Sequence, residues 1–215
     1  MFDLNKMAQE QIKLSRKLTS RDSFDSIEDT KTIAGVDQAY IGHKIISTIV
    51  ICEFPTMKIL EVKHAIVDSP MPFVPGYVSF RESPAVVEAY HLLERDFDLL
   101  LVDGNGILHP RKMGLAAHLG LILDKPTIGI AKNLMCGEVK DDKVYVDSEL
   151  RGMVVKTKVH SNPLYVSPGN LISIKSATEI VAKCIKAPHK LPEPLHLAHQ
   201  YSSKTRQQYE KRLSE

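Results

Sequence analysis

The sequence contains few cysteines and no long apolar run. Its three cysteines, Cys52, Cys136 and Cys184, are far apart and none belongs to a C-x-x-C pair, which argues against a disulfide framework or a zinc ribbon and fits a reducing compartment. No apolar stretch approaches the ~20 residues that a membrane-spanning helix needs. The first residues soon become charged and amphipathic, unlike a signal peptide. We therefore expect a cytoplasmic protein without a membrane partner.

A strong net charge is also missing. The 215 residues carry a formal charge of +2, with 43% hydrophobic and 25% charged residues, as in ordinary globular proteins. This charge permits a nucleic-acid partner but does not require one, because dedicated nucleic-acid-binding modules are usually more basic. The length suits one domain over residues 1–215. Within it we expect an N-terminal helix over 3–17, a core over about 32–200 and a basic tail over 201–215.

Three strand-like segments follow one another early in the chain. Thr32–Tyr40, Lys44–Phe54 and Met57–Val67 are each rich in valine, isoleucine and threonine. Gly42 and Pro55 mark short turns between them. A parallel return would need a crossover of a dozen or more residues, so these strands are predicted to be antiparallel neighbours.

Helices and buried strands alternate in the rest of the chain. Ser83 followed by Pro84 is typical of a helix start, since proline is tolerated at the first helical position. Leu99–Val102 has the continuous apolar composition of a strand buried on both faces, and another such strand starts at Pro126. This order indicates a parallel section of sheet. We therefore predict an α/β fold with an RNase H-like mixed sheet, three antiparallel strands followed by parallel strands, flanked by helices.

Three acidic residues occupy unusual positions. Asp37 lies within an otherwise apolar strand pattern, and Glu82 precedes the predicted helix start at Ser83. Asp103 directly follows the buried run Leu99–Val102. Ligands gather at the carboxyl ends of parallel strands, and Mg²⁺ prefers carboxylate and phosphate oxygens. The three acids therefore indicate a magnesium site. The alternative is that each one caps a helix or joins a surface ion pair.

A stiff apolar segment, Pro72-Phe73-Val74-Pro75, is followed by Gly76. Proline restricts its own backbone and that of the residue before it, so this segment is rigid. Rigid apolar wedges are what proteins insert between base steps, and glycine allows a flat base to approach the backbone. The alternative interpretation is a buried plug that packs on the core.

The loop after Asp103 combines glycine with basic residues. Gly104 allows close approach to a ligand, and His109, Arg111 and Lys112 bring donors near a predicted helix start, where a phosphate binds readily. A solvated basic helix start is the alternative. The spacings of a P-loop and of a dinucleotide fingerprint are both absent, so no nucleotide cofactor is expected.

Two further side chains are candidates for catalytic support. Lys132 follows the second buried strand, from where its ammonium can point at a phosphate or extend outward into solvent. His199 follows a proline-punctuated loop, and its position alone does not distinguish a catalytic from a structural role.

Together these segments resemble the endonuclease V family, the deoxyinosine nucleases of DNA repair. The matching stretches occur in family order between about residues 32 and 200. Each is short, but the ordered set is specific. They are Ala34–Asp37, Phe73–Glu82, Leu101–Gly106, His109–Arg111, Ile128–Lys132, Tyr165–Gly169, Leu191–Pro194 and Leu197–His199.

The resemblance implies a role for each candidate residue. Asp37, Asp103 and Glu82 would be the metal ligands, and Lys132 and His199 would support catalysis. The wedge that separates the strands at the lesion would be Pro72, Phe73, Val74 and Pro75, with DNA contacts from Arg81, His109 and Arg111. Gly76 and Gly104 would help to form the pocket for the flipped hypoxanthine.

The resemblance also implies the reaction. It is a Mg²⁺-dependent hydrolysis of DNA on the 3′ side of deoxyinosine, with Mn²⁺ as a possible substitute and 5′-phosphate ends as products. Inosine-containing single-stranded RNA is the alternative substrate. Two further hypotheses are a binding module without catalysis and a small-molecule phosphatase. Retention of all three acids argues against the binding module, and the wedge and the basic loop would have no role in the phosphatase.

Three positions depart from the usual family pattern. Phe73 replaces a common tyrosine, so stacking remains possible but a hydroxyl hydrogen bond does not. Ser83 replaces a frequent glycine and Asn105 a frequent glutamine. These differences affect details of the pocket and loops and leave the expected reaction class unchanged.

Overall fold

The computed structural model describes residues 2–158 and 161–214. The described chain contains five α-helices and nine β-strands. In chain order they are α1 (Leu4–Ser15), β1 (Thr32–Ile41), β2 (Lys44–Glu53), β3 (Ile59–Asp68), α2 (Val78–His91), β4 (Leu99–Asp103), α3 (Leu115–Leu123), β5 (Thr127–Ala131), β6 (Glu138–Lys140), β7 (Lys143–Val146), β8 (Glu149–Val155), β9 (Leu164–Asn170), α4 (Ile174–Lys183) and α5 (Glu193–Ser214). The predicted order of early strands followed by alternating helices and strands holds as far as residue 131, but the described part of residues 138–170 forms four strands with no helix between them, where alternation was expected.

All nine strands form one mixed sheet in the order β3-β2-β1-β4-β5-β9-β8-β7-β6. The first three strands are antiparallel, as predicted. The parallel section comprises only β1, β4 and β5, because β9 is antiparallel to β5. The pairs β9–β8, β8–β7 and β7–β6 are antiparallel as well. The short turns among β6, β7 and β8 allow no crossover, which explains why these three strands are antiparallel neighbours.

Helices cover both faces of the sheet and create two apolar cores. Strand residues alternate between the faces, so Ile33 and Leu99 pack on the α4 and α5 side, whereas Val36 and Val102 pack on the α2 and α3 side. This alternation also fixes the direction of the residue that follows each apolar position. Asp37 consequently points toward α5.

Helix α2 begins earlier than the sequence pattern predicts. It starts at Val78 after Tyr77, and Pro84 lies inside it, so the predicted start at Ser83 is wrong. Proline normally interrupts a helix because it lacks an N–H group. Here Ser79, Glu82 and Ser83 are buried against neighbouring elements, and this packing outweighs the local preference. Glu82 is therefore a helical residue.

The C-terminal segment is helical. The residues after Tyr201, expected to be a polar basic tail, continue α5 as far as Ser214. The exposed second half of this helix has the polar composition that suggested a tail, but its first half packs on β1 and β2 and supports its continuation. None of the helices in the described ranges is both long enough and apolar enough to cross a bilayer.

Candidate active site

Asp37 and Asp103 lie side by side in the centre of the sheet. Strands β1 and β4 are parallel neighbours, and Val36 pairs with Val102 in their register. The next residue of each strand is the aspartate, and parallel partners point to the same face of a sheet. Asp37 is only 5% exposed. The sequence pattern therefore brings two carboxylates together, one of them almost without access to water.

Helix α5 supplies two donors to Asp37. The Ser202 hydroxyl donates to its Oδ2 at 2.6 Å, and His199 Nδ1 lies 3.1 Å from the same oxygen. A Cβ atom at Gly35 would lie 2.3 Å from the Pro194 backbone, so this glycine is what allows α5 to approach β1 closely. Ser202 was not a predicted site residue. Its position three residues after His199, on the same helix face, is the signal that could have found it.

Asp103 has a basic partner on the neighbouring strand. Lys132 follows β5, and its Nζ donates to Asp103 Oδ2 at 2.6 Å. Both side chains are partly exposed, at 43% for the lysine and 20% for the aspartate. Lys132 is therefore at the site, as expected, and its ammonium remains accessible to a bound phosphate.

Glu82 approaches from α2. Its carboxylate accepts a hydrogen bond from the Tyr40 hydroxyl, and Arg81 Nη1 lies 3.8 Å away. The Arg81 guanidinium stacks 4.6 Å from the centre of the Tyr40 ring. Tyr40 was another residue that the sequence patterns did not reveal. It lies three residues after Asp37 in β1, and its contact with α2 is visible only in the folded chain.

The three acids repel one another electrostatically. Burial raises the pKa of Glu82 to about 7, and the nearby Asp103 and Asp37 add to the effect of burial, whereas the Tyr40 hydrogen bond and Arg81 oppose it. Burial also raises the pKa of Asp37, with Ser202 lowering it and Asp103 raising it further. The carboxylates thus share one electrostatic environment in which a cation would be stabilising.

As the side chains stand, no group of three His, Cys, Asp or Glu residues in the described ranges is arranged to hold a metal ion. Each acid is instead engaged by a donor of this chain. Ser202 and His199 contact Asp37, Lys132 contacts Asp103, and Tyr40 contacts Glu82. The shared magnesium site accordingly stays a prediction.

A cavity of about 130 Å³ opens beside Asp103. Gly76 and Gly104, the two glycines predicted to line a base pocket, both lie in its wall. Apolar side chains from the loop before α3, from the start of α3 and from the loop after β5 also line it. They include Met113, Leu115 and Met135. A flat ring system entering this cavity would lie directly next to a carboxylate of the site.

The Pro72–Pro75 segment projects from the surface. Phe73 is 62% exposed, and Pro72 and Pro75 are also exposed. The interpretation as a buried plug is therefore wrong for Phe73, because most of its ring is in contact with solvent. A turn in which Tyr77 N–H donates to the Val74 carbonyl at 3.0 Å closes the segment. The projection stands next to the cavity, since Gly76, which directly follows Pro75, lines the cavity.

Three side chains from two segments converge on the Gly76 carbonyl. Arg111 Nη2 donates to it at 2.8 Å, Gln11 Nε2 donates at 3.0 Å, and His109 Nε2 lies at 3.1 Å. Gly76 has a φ of +79°, a conformation that suits glycine. Arg111 also stacks 4.5 Å from the Tyr77 ring. This network fixes the wedge segment relative to the cavity.

The expected contact of His109 with DNA remains a prediction, and in the folded chain its ring lies in the protein interior. The side chain is only 2% exposed, and burial together with Arg111 lowers its pKa to about 4, so the imidazole is neutral at physiological pH. Its Nε2 contacts the Gly76 carbonyl. The guanidinium groups of Arg81 and Arg111 are likewise engaged within the protein, over Tyr40 and Tyr77 respectively. Their contacts with DNA remain predictions.

Comparison with known proteins decides the family. The sequence profile named Endonuclease V matches residues 12–200, which include every candidate residue of the site. Endonuclease V of Dictyoglomus thermophilum is 41% identical over 202 residues, covering 90% of this chain and 87% of that protein. The chain belongs to the endonuclease V family. It is therefore a nuclease.

Solved structures of endonuclease V agree with the fold. The Bacillus subtilis protein superposes with a TM-score of 0.90 and 30% identity, covering 99% of this chain and 95% of that one. A Ciona intestinalis endonuclease V in complex with a 23mer DNA containing an inosine followed by a ribo-adenosine gives a TM-score of 0.87 at 25% identity, covering 97% and 100%. The predicted RNase H-like α/β fold is confirmed.

Proposed function

We propose that this endonuclease V hydrolyses the phosphodiester bond on the 3′ side of deoxyinosine in DNA, leaving a 5′-phosphate end. The observation that carries the proposal is the adjacency of the Asp37–Asp103 pair to a cavity of about 130 Å³. A base held in that cavity would present its own backbone phosphates to the carboxylates. The Ciona intestinalis complex with inosine-containing DNA supports the choice of base.

Magnesium is the cofactor that the donor set fits. Asp37, Asp103 and Glu82 offer oxygen atoms alone, which suit a hard divalent cation, and their mutual repulsion favours a cation between them. Manganese has similar oxygen preferences and is expected to substitute. When bound, such an ion neutralises phosphate charge and activates water for attack. Asp37 and Asp103 would hold it, with Glu82 completing the site.

The residues around the acids have separate tasks in this proposal. Ser202 and His199 hold the Asp37 carboxylate in one orientation through contacts of 2.6 and 3.1 Å. Lys132, now 2.6 Å from Asp103, exchanges that partner for the scissile phosphate and stabilises its developing charge. The exposed ammonium can make this change without moving the backbone.

Base selection would take place in the cavity. Extruding a base from a duplex costs a few kcal/mol and costs least where pairing is already weak, as for inosine in a mismatch. Hypoxanthine carries a 6-oxo group and a protonated N1, unlike adenine. Backbone groups around Gly76 and Gly104 would pair with them and would be left unpaired by adenine.

The exposed Phe73 completes the interaction. Held between Pro72 and Pro75, the ring can occupy the gap that an extruded base leaves in the duplex, since apolar wedges unstack neighbouring base steps. Arg81 and Arg111 would contribute phosphate contacts. We treat residues 1–215 as one domain that performs all of these tasks.

The direct test uses an end-labelled duplex with a single inosine. The protein is incubated with it in the presence and absence of Mg²⁺, next to the same duplex with adenine at that position. We expect one Mg²⁺-dependent cut, 3′ to the inosine, in the inosine strand alone. A DNA ligase should rejoin the product ends, which requires a 5′-phosphate. Cleavage that ignores the base, or that proceeds equally well in a chelator, would refute the proposal.

RNA is the second candidate substrate. The specific observation in its favour is that the DNA bound to the Ciona intestinalis protein carries a ribo-adenosine after the inosine. Recognition of RNA would require contacts with 2′-hydroxyl groups. Matched single-stranded DNA and RNA oligonucleotides of identical sequence, each with one inosine, distinguish the two. We expect the higher kcat/KM for DNA.

A further inference from the structure

Helix α1 buries a polar side chain in place of an apolar one. Of its residues, all of which the structure describes, only Gln11 is buried, and it is 0% exposed. The apolar Leu4 and Ile12 of the same helix are 39% and 45% exposed. Burying an amide is unfavourable unless its hydrogen bonds are satisfied. A helix held to the protein by a glutamine therefore indicates that this amide has specific partners.

Both ends of the Gln11 amide are engaged. Its Nε2 donates to the Gly76 carbonyl at 3.0 Å and to the Met113 carbonyl at 3.3 Å, with Ser79 Oγ at 3.4 Å. Its Oε1 accepts from Arg111 Nε at 2.6 Å. These partners lie 65 to 102 residues away in the sequence. One side chain thus links helix α1 to two segments of the chain, which Arg111 and His109 also join to each other through the Gly76 carbonyl.

The connected segments form the walls of the cavity beside Asp103. Gly76, Ser79 and Met113 all line it. The peptide between Gly76 and Tyr77 is held at both ends, since its carbonyl accepts from Gln11 and its N–H donates to the Val74 carbonyl at 3.0 Å. Gln11, together with Arg111 and His109, therefore fixes the orientation of a peptide unit that lines the cavity and directly follows the wedge segment.

We propose that Gln11 is a positioning residue that sets the base selectivity of this cavity. The inference rests on the proposed function and adds to it a residue outside the strands and helices that carry the acids. A pocket distinguishes hypoxanthine from adenine through fixed donors and acceptors, and a carbonyl that rotates accommodates either base. Arg111 and His109 share the Gly76 carbonyl with Gln11, but Gln11 is the one of the three that also donates to the Met113 carbonyl on another wall of the cavity. Its loss therefore relaxes the pocket without touching the carboxylates.

The test compares binding of two oligonucleotides, with Ca²⁺ replacing Mg²⁺ to prevent cleavage. One carries inosine and the other adenine at the same position. The readout is the Kd for the adenine oligonucleotide divided by the Kd for the inosine oligonucleotide. We expect Gln11→Met to lower this ratio about tenfold, the factor that one or two ordinary hydrogen bonds produce. Gln9→Met, at an exposed position on the same helix, is the control and should leave the ratio unchanged.

The ratio separates positioning from general destabilisation. Partial unfolding weakens binding of both oligonucleotides by one factor and leaves their ratio intact, and that result would overturn the proposal. If Gln11→Met does not fold, Gln11→Glu carries the same expectation, because it keeps an acceptor for Arg111 and removes the donor to Gly76. Absence of any inosine preference in the unaltered protein would instead refute the proposed function.

Discussion

Asp37 and Asp103 occupy equivalent positions on neighbouring parallel strands, each one residue beyond the paired Val36 and Val102. Such a register places their carboxylates on the same face although 66 residues separate them in the chain. Coulombic repulsion from Asp103 contributes to the raised pKa of Asp37. Two acids are brought this close only if a cation or a proton compensates them at some stage of the reaction.

The first prediction concerns Asp103→Asn. Removing this carboxylate should lower cleavage of the inosine duplex about a thousandfold or more, because a metal contributes several kcal/mol of transition-state stabilisation. Binding of the same duplex in Ca²⁺ should persist, since the cavity walls are unchanged. Asp25→Asn, at an exposed position, is the matched control. Full cleavage by the Asp103 variant would remove this residue from the site.

The second prediction concerns pH and stability. Glu82 has its pKa raised from 4.5 to about 7. The folded protein therefore binds more protons than the unfolded chain between these values, and stability falls as the pH rises through them. Glu82→Gln removes this loss, which is roughly 3 kcal/mol for a shift of that size.

Thermal unfolding in the absence of metal tests whether stability falls with rising pH because of Glu82. Glu82→Gln should raise Tm by several degrees near pH 8 and leave it almost unchanged near pH 5. Added Mg²⁺ should raise the Tm of the unaltered protein near pH 8 more than that of the variant. Glu88→Gln, on the exposed face of α2, should follow the unaltered protein. A Tm that is lower for Glu82→Gln at every pH would contradict the interpretation.

The third prediction concerns the wedge. Because Phe73 is 62% exposed, Phe73→Ala should change the free energy of unfolding by less than about 0.5 kcal/mol. Affinity for the inosine duplex should fall about tenfold, since stacking of a base on an aromatic ring contributes roughly 1–3 kcal/mol. The control is Phe2→Ala, which removes another half-exposed phenylalanine. Equal affinities of the two variants would show that Phe73 does not engage the DNA.

The fourth prediction concerns Ser202, whose hydroxyl donates to Asp37 Oδ2 and lowers the pKa of that carboxyl. In Ser202→Ala this pKa rises further, so the acid limb of the pH–rate profile should move to higher pH. Activity should drop about tenfold near pH 6 and less near pH 8, because a hydrogen bond to a charged group contributes about 1.5–3 kcal/mol. Ser203→Ala is the neighbouring control. Parallel loss of activity at every pH would indicate a structural effect alone.

Local patterns revealed the residues that contribute directly to the site. Asp37 is recognisable as an acidic residue in an apolar strand, and Lys132 as a basic residue after a buried strand. Both can be recognised because a few consecutive residues suffice to show whether a strand is buried. Their convergence follows from the rule that parallel strands end at one edge of a sheet. The fold and the position of these residues were therefore accessible from sequence.

The supporting residues were not accessible, for a physical reason. Ser202 reaches Asp37 across 165 positions in the chain, and Gln11 reaches Met113 across 102. No local pattern encodes such pairs. The burial of His109 was hidden for the same reason, since a basic loop before a helix suggests exposure, whereas tertiary packing buries its ring against Gly76. Pro84 inside α2 shows the same dominance of packing over local preference.

Diffraction from crystals soaked in Mn²⁺ tests the shared cation most directly, because manganese scatters anomalously and accepts the oxygen ligands of magnesium. We expect an anomalous peak within about 2–2.5 Å of carboxylate oxygens of both Asp37 and Asp103, with Glu82 facing the ion. Asp103→Asn should lose this peak. Crystals that bind manganese elsewhere, or that show no peak at these carboxylates at saturating concentration, would contradict the account.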